Sequence, residues 1–75
     1  MPKANEAEHA TRAKNLLKAE LKRKGIGYRE LAERLTAAGS PITEQGLNNK
    51  ISRGGFSAAF MLQVLDAIKV DTVRV

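Results

Sequence analysis

Two adjacent asparagines, Asn48 and Asn49, lie in the middle of a segment whose flanking pattern predicts a helix. Asparagine is a weak helix former, and Gly46, two residues before Asn48, costs about 1 kcal/mol relative to alanine in a helix interior. Amide side chains can, however, form paired hydrogen bonds with the N6 and N7 atoms of adenine in the DNA major groove. These residue types are therefore suited to hydrogen bonding with a polar partner. The alternative is that both asparagines are ordinary solvated residues near a frayed helix end.

The helix that carries these asparagines is predicted over residues 43–53. Thr43 can cap its first N–H groups, and Glu44 suits the positive end of the helix dipole. Leu47 and Ile51 are four residues apart and form its predicted buried stripe. With that stripe turned inward, Gly46 would let a partner approach the backbone closely. The predicted base contacts are Glu44, Gln45, Asn48 and Asn49.

The positive charge of the chain is concentrated in one segment. The net charge is +5, and residues 12–24 contain six basic residues against one acidic residue, an excess that equals the total. Lys14, Lys18 and Lys22 repeat every four residues on one side of the predicted first helix. This stripe is either a solvated face or a contact for an anion such as the phosphate backbone. Tyr28 could likewise donate to a phosphate or pack its ring on the core edge. The predicted phosphate contacts are Tyr28, Arg29, Thr43, Lys50, Ser52, Arg53, Lys14, Lys18 and Lys22.

Hydrophobic periodicity predicts an all-α chain with four short helices in one domain. The helices are predicted over about residues 11–24, 28–38, 43–53 and 57–68, with glycines at most of their ends. Residues 1–10 form a polar leader that either frays or extends the first helix. Residues 11–70 form the domain, and residues 71–75 form a short tail.

The residues needed for catalysis are missing from this pattern. The chain has no cysteine, and its one histidine, His9, stands alone in the polar leader. No glycine-rich loop has the spacing of a phosphate-binding motif. We expect no enzyme activity, cofactor, metal or small-molecule ligand. No apolar segment is long enough to cross a membrane or to act as a signal peptide, so we expect a cytoplasmic, nucleoid-associated protein.

Three segments carry a resemblance to a known family. "ELAERL" (30–35), "KISRG" (50–54) and "FSAAFMLQVLDAI" (56–68) resemble the phage-repressor, xenobiotic-response-element class of helix-turn-helix domains. They resemble still more closely a small, largely uncharacterised proteobacterial family of that class. The resemblance covers about residues 16–69. It implies a compact, four-helix, lambda-repressor-like helix-turn-helix fold with a short C-terminal tail, and a role in transcription.

The chain also departs from the usual pattern of that class. Ala32 in the second helix and Ile42 at the start of the third segment are ten residues apart, where about five is usual. The second helix or the turn after it should therefore be longer by about one helical turn.

The fourth predicted helix is apolar on nearly every side, which is typical of a helix buried on more than one face. A chain of 75 residues can hardly cover both faces alone. We therefore predict a twofold homodimer that would bind a pseudo-palindromic site. The predicted dimer contacts are Phe60, Leu62, Val64, Val73 and Val75.

Three functions remain open from the residues alone. The first is a sequence-specific regulator that binds double-stranded DNA through helix 43–53. The second is an antitoxin-like or adaptor protein that acts through protein–protein contacts of helix 57–68. The third, weaker interpretation is a nucleoid or RNA binder that uses charge without reading bases.

Overall fold

The structure is a computed structural model that describes residues 2–72 and the side chains of residues 7–72. Within that range the chain forms four α-helices and no strand. They are α1 (Pro2–Lys24), α2 (Tyr28–Ala37), α3 (Glu44–Arg53) and α4 (Ala58–Ala67). The prediction of an all-α, four-helix domain is confirmed. No helix in this part of the chain has the length and apolar character needed to cross a membrane.

The first helix is longer than the predicted segment. It begins at Pro2 instead of Thr11, so the polar leader extends the helix. Proline is favoured in the first helical turn, where its missing N–H has no intrahelical partner to lose. Of the two alternatives for residues 1–10, the structure supports helix extension.

The core is aliphatic and draws on all four helices. Its side chains with the least exposure are Leu17, Leu31, Leu47, Ile51, Ile68 and Val64. Arg34 adds a polar link, because its Nη1 donates to the Ala67 carbonyl at the end of α4 over 2.9 Å. Its Nη2 also pairs with Glu30, one turn earlier in α2, at 2.8 Å. Arg34 thus holds α2 against the negative end of the α4 dipole.

The end of α4 contains a strained residue. Lys69 has φ 61°, a left-handed conformation that glycine adopts at the ends of α1, α2 and α3. The Val70 N–H donates to the Leu65 carbonyl over 2.9 Å, and the Lys69 N–H donates to the Asp66 carbonyl over 3.1 Å. This pair of bonds is the Schellman arrangement, in which a residue with a Cβ atom is disfavoured.

We expect Lys69→Gly to raise the free energy of unfolding by about 1 kcal/mol, because it relieves the left-handed strain. For a domain of this size that corresponds to about 4–8 °C in Tm. Lys69→Ala is the matched control, since it removes the charge but keeps the Cβ atom and so keeps the strain. Equal Tm values for the two variants would contradict this explanation.

The fourth helix corrects part of the dimer prediction. Phe60 is 6% exposed and Val64 is fully buried, so both are core residues and their prediction as dimer contacts is wrong. The remaining sides of α4 carry small or polar residues, such as Ala58, Ala59 and Gln63, which lets one chain cover its apolar face. Leu62 is 61% exposed and could still meet a partner. Val73 and Val75 lie outside the described residues.

Candidate nucleic-acid interface

Helix α3 separates an apolar face from a polar one, as predicted. Leu47 and Ile51 are its buried residues, and both have no exposed surface. The opposite face is exposed and polar, with Glu44 in its first turn and Lys50 and Arg53 in its last. The exposed side chains predicted to contact DNA from this helix are Glu44, Gln45, Asn48, Asn49, Lys50, Ser52 and Arg53.

The start of α3 is fixed by a side-chain cap. The Thr43 Oγ1 atom accepts a hydrogen bond from the Gly46 N–H over 3.0 Å. A Cβ atom on Gly46 would lie 3.1 Å from that same oxygen and 3.6 Å from Ile42 Cγ1. Gly46 therefore makes room for the cap, and the close approach of a partner to its backbone stays a prediction. Thr43 is exposed and keeps its hydroxyl proton for an external acceptor.

The two asparagines differ in their hydrogen bonding. Ser52 Oγ donates to Asn48 Oδ1 over 3.0 Å, which ties these two side chains together on the surface. The Asn48 amide nitrogen keeps its two donor protons. Among the residues that the structure describes, Asn49 has no side-chain hydrogen bond. Asn49 can thus offer both its donor and its acceptor to one base edge.

The last turn of α3 brings an amide and two cations to one hollow. Asn49, Lys50 and Arg53 line it together with Phe56. The Lys50 ammonium lies 4.6 Å from the centroid of the Phe60 ring, in cation–π geometry. This contact places the Lys50 ammonium against the Phe60 ring, at the hollow that Asn49 also lines.

A second group of predicted contacts meets at the start of α2. Lys18 and Lys22 of α1 line a hollow with Tyr28. The Tyr28 ring is half-buried and packs against the core, which confirms the packing interpretation of this residue. Burial raises the pKa of the Tyr28 phenol above its ordinary value of 10.0. The hydroxyl therefore stays protonated near neutral pH and can donate a hydrogen bond. Lys14 is half-buried and lines neither this hollow nor the one at α3.

Arg29 and Glu44 meet in a third hollow, between α2 and α3, where Glu33 also lies. The ion pairs in the described part of the chain join Arg23 to Glu20 and Arg34 to Glu30. Arg29 is thus an exposed cation near two carboxylates without a formed ion pair. The two carboxylates beside it oppose the approach of a phosphate, and the phosphate contact of Arg29 stays a prediction.

The connection between α2 and α3 is long for a helix-turn-helix. It comprises residues 38–43, while α2 itself is a helix of 10 residues. The extra length thus lies mostly in the turn. The Thr36 Oγ1 atom accepts a hydrogen bond from the Ile42 N–H over 3.4 Å, which links the end of α2 to this turn.

Two surface features escaped the sequence-based prediction. One is the cation–π contact of Lys50, which depends on the packing of α4 against α3. The other is a hollow between α1 and α4, where Arg12, Leu16 and Glu20 face Met61. The spacing of four residues between Arg12, Leu16 and Glu20 was a visible signal for this hollow. The lysines of the same helix repeat with the same spacing, which hides the signal.

Comparison with known proteins gives a family without an assigned activity. A family model described as a domain of unknown function (DUF6471) matches residues 9–73. No curated protein matches the chain. No solved structure matches it either.

Proposed function

We propose that this protein, which belongs to the DUF6471 family of domains of unknown function, is a sequence-specific regulator that binds double-stranded DNA. In this proposal α3 enters the major groove and α2 lies across it, as in a helix-turn-helix. Transcription is the process that such binding would regulate, and the nucleoid is where the protein would act.

The observation that supports this proposal most is the polarity of α3. Two fully buried side chains, Leu47 and Ile51, hold the helix on the body, and amide and hydroxyl groups cover the outer face. A helix that only completed a core would have no need of adjacent asparagines, which lower its helix propensity. Amides are the side chains that pair with adenine in the major groove.

Basic side chains at the end of α3 and near the start of α2 support phosphate contacts on both sides of the DNA major groove. Lys50 and Arg53 lie at the end of α3 beside Asn49. Lys18 and Lys22 flank the protonated phenol of Tyr28 at the start of α2. Contacts of this kind fix the position of a protein on the duplex without reading sequence.

A salt titration of binding separates the three candidate functions. A regulator should prefer a duplex selected from random sequence over random duplex by a factor of order 10³ or more. A binder that uses only charge would show equal affinities with a steep salt dependence. An adaptor protein acting through α4 would bind neither duplex at physiological salt, and that result would overturn the proposal.

We expect Asn49→Ala to weaken binding to the selected site by about 1–3 kcal/mol and to relax preference at one base position. Lys18→Ala should instead weaken all duplexes alike and lower the salt slope by about one. Both residues are exposed, so neither change should alter the fold. Competition binding against single-base variants of the site measures the difference. If Asn49→Ala weakens every duplex equally, Asn49 does not read a base.

A further inference from the structure

We infer that one face of α1 is an interface with a second copy of this chain, in which the two α1 helices pack antiparallel about Leu16. The face is defined by residues 8, 12, 16, 20 and 24, which are Glu8, Arg12, Leu16, Glu20 and Lys24, and we call it the α1 stripe. This inference concerns self-association and does not depend on DNA binding.

The centre of the α1 stripe is an apolar hollow. Leu16 is half-buried there, next to Ala13 and Ala19, and Met61 of α4 forms the opposite wall. Small residues beside a leucine let another helix approach closely. Leu17, the next residue along the chain, is fully buried in the core. Leu16 is therefore a second apolar position on α1, and the chain itself covers it only in part.

The charges on either side of Leu16 complement a second copy of the same stripe. Reading along α1, the stripe is negative, positive, apolar, negative and positive. When two such stripes run antiparallel with Leu16 on the twofold axis, residue i meets residue 32 minus i of the partner. Arg12 then faces Glu20 of the other copy, and Glu8 faces Lys24. Each charge of the stripe is thus opposite in sign to its counterpart, and both pairs are repeated by symmetry. Glu8 and Lys24 lie about 80° around α1 from Leu16, so the inner Arg12–Glu20 pairs carry most of the complementarity.

The spacing of these charges fits helix geometry. Arg12 and Glu20 are eight residues apart, which is about 12 Å along the axis. The two Arg12–Glu20 pairs would thus lie about 6 Å on either side of the twofold axis. Rows of residues spaced by four run parallel when two helices cross at about −50°, a common packing angle.

The charged residues of the α1 stripe do not all form ion pairs in the described part of one chain. Glu8 and Arg12 are four residues apart, as are Glu20 and Lys24, a spacing that allows an ion pair within the helix. In the described part of the chain neither pair is formed; Glu20 pairs with Arg23 instead, and the Lys24 ammonium donates to the Lys69 carbonyl over 3.4 Å. Arg12 is exposed at the rim of the hollow. An intrahelical ion pair therefore accounts for Glu20 but not for Arg12.

The α1 stripe leaves the proposed DNA contacts uncovered. Lys18 follows Leu16 by two residues, which is about 200° around the helix. The lysines thus lie on the far side of α1 from the partner. Such a homodimer would carry two copies of α3, the arrangement that a pseudo-palindromic site requires.

Exchanging the charges of Arg12 and Glu20 tests the inference. The mass of the full chain is measured by sedimentation equilibrium without DNA at about 10–100 μM, a range that detects the modest affinity expected of a small interface. The unaltered chain should sediment as a dimer. Arg12→Glu alone and Glu20→Arg alone should each weaken self-association by about tenfold or more, since each places like charges opposite each other twice. A mixture of the two variants should recover the dimer, because each copy then supplies the charge that the other lacks.

Circular dichroism of each variant checks that the fold is retained. Leu62→Ala is the matched control, since Leu62 is exposed and apolar but does not line the hollow. It should leave the mass unchanged. The inference is overturned if the unaltered chain is monomeric over this range, if the mixture does not recover the dimer, or if Leu62→Ala dissociates it.

Discussion

Gly54→Ala should lower the free energy of unfolding by about 2–4 kcal/mol, one of the largest effects of any single methyl group in this chain. Gly54 ends α3 in the left-handed conformation, with φ 71°. A Cβ atom there would lie 2.6 Å from the Ala10 carbonyl oxygen of α1. Because the obstacle is backbone within a helix, it cannot swing aside as a flexible side chain would. Either α1 must move away from α3 or the end of α3 must unwind.

Gly25→Ala is the control that separates strain from contact. Gly25 has φ 69°, nearly the value of Gly54, but a Cβ atom there would meet nothing within 4 Å. We expect it to cost about 1–2 kcal/mol, the left-handed penalty alone. Urea unfolding followed by circular dichroism measures both variants. If they are equally destabilised, the close approach of α1 to Gly54 makes no contribution to stability.

The ends and faces of the helices could be predicted from sequence because they depend on local chemistry. Thr43 and Ser57 cap α3 and α4 with hydrogen bonds of 3.0 Å each, as their types indicate. Leu47 and Ile51 lie inward because a spacing of four residues places both on one side of a helix. The start of α1 could not be fixed in the same way. The polar leader has no apolar stripe, and the close approach of Ala10 to Gly54 joins residues that are distant in sequence.

The burial or exposure of individual apolar residues in α4 was less predictable from the sequence. Leu62 is exposed and Val64 is buried, although both are large and aliphatic. Their difference arises from the angle at which α4 packs on α1 and α2, which the apolar pattern of α4 itself does not contain. The same limit applies to the candidate site. The exposed amides of α3 follow from its own sequence, whereas the positioning of Lys50 depends on the Phe60 ring of α4.

Leu47→Ala should destabilise the domain by about 2–5 kcal/mol, the usual result of emptying a fully buried leucine site. A chain of 75 residues has a total stability of only about 4–11 kcal/mol, so the variant should unfold at a markedly lower temperature than the unaltered chain. The loss should fall mainly on α3, since Leu47 is one of only two buried side chains in that helix. Leu62→Ala, which shortens an exposed leucine, is the matched control and should change the stability little.

This variant also connects the stability of α3 to its proposed role. If α3 binds DNA, a duplex that carries the selected site binds the folded state alone and must stabilise it. At a duplex concentration 100 times the Kd, the gain is about 2.7 kcal/mol, which offsets much of the Leu47→Ala loss. Thermal unfolding followed by circular dichroism should therefore show Tm rising with the selected duplex, and rising less with random duplex at the same salt. A Tm that does not respond to any duplex, in the variant and in the unaltered chain alike, would mean that α3 presents its amides to some other partner.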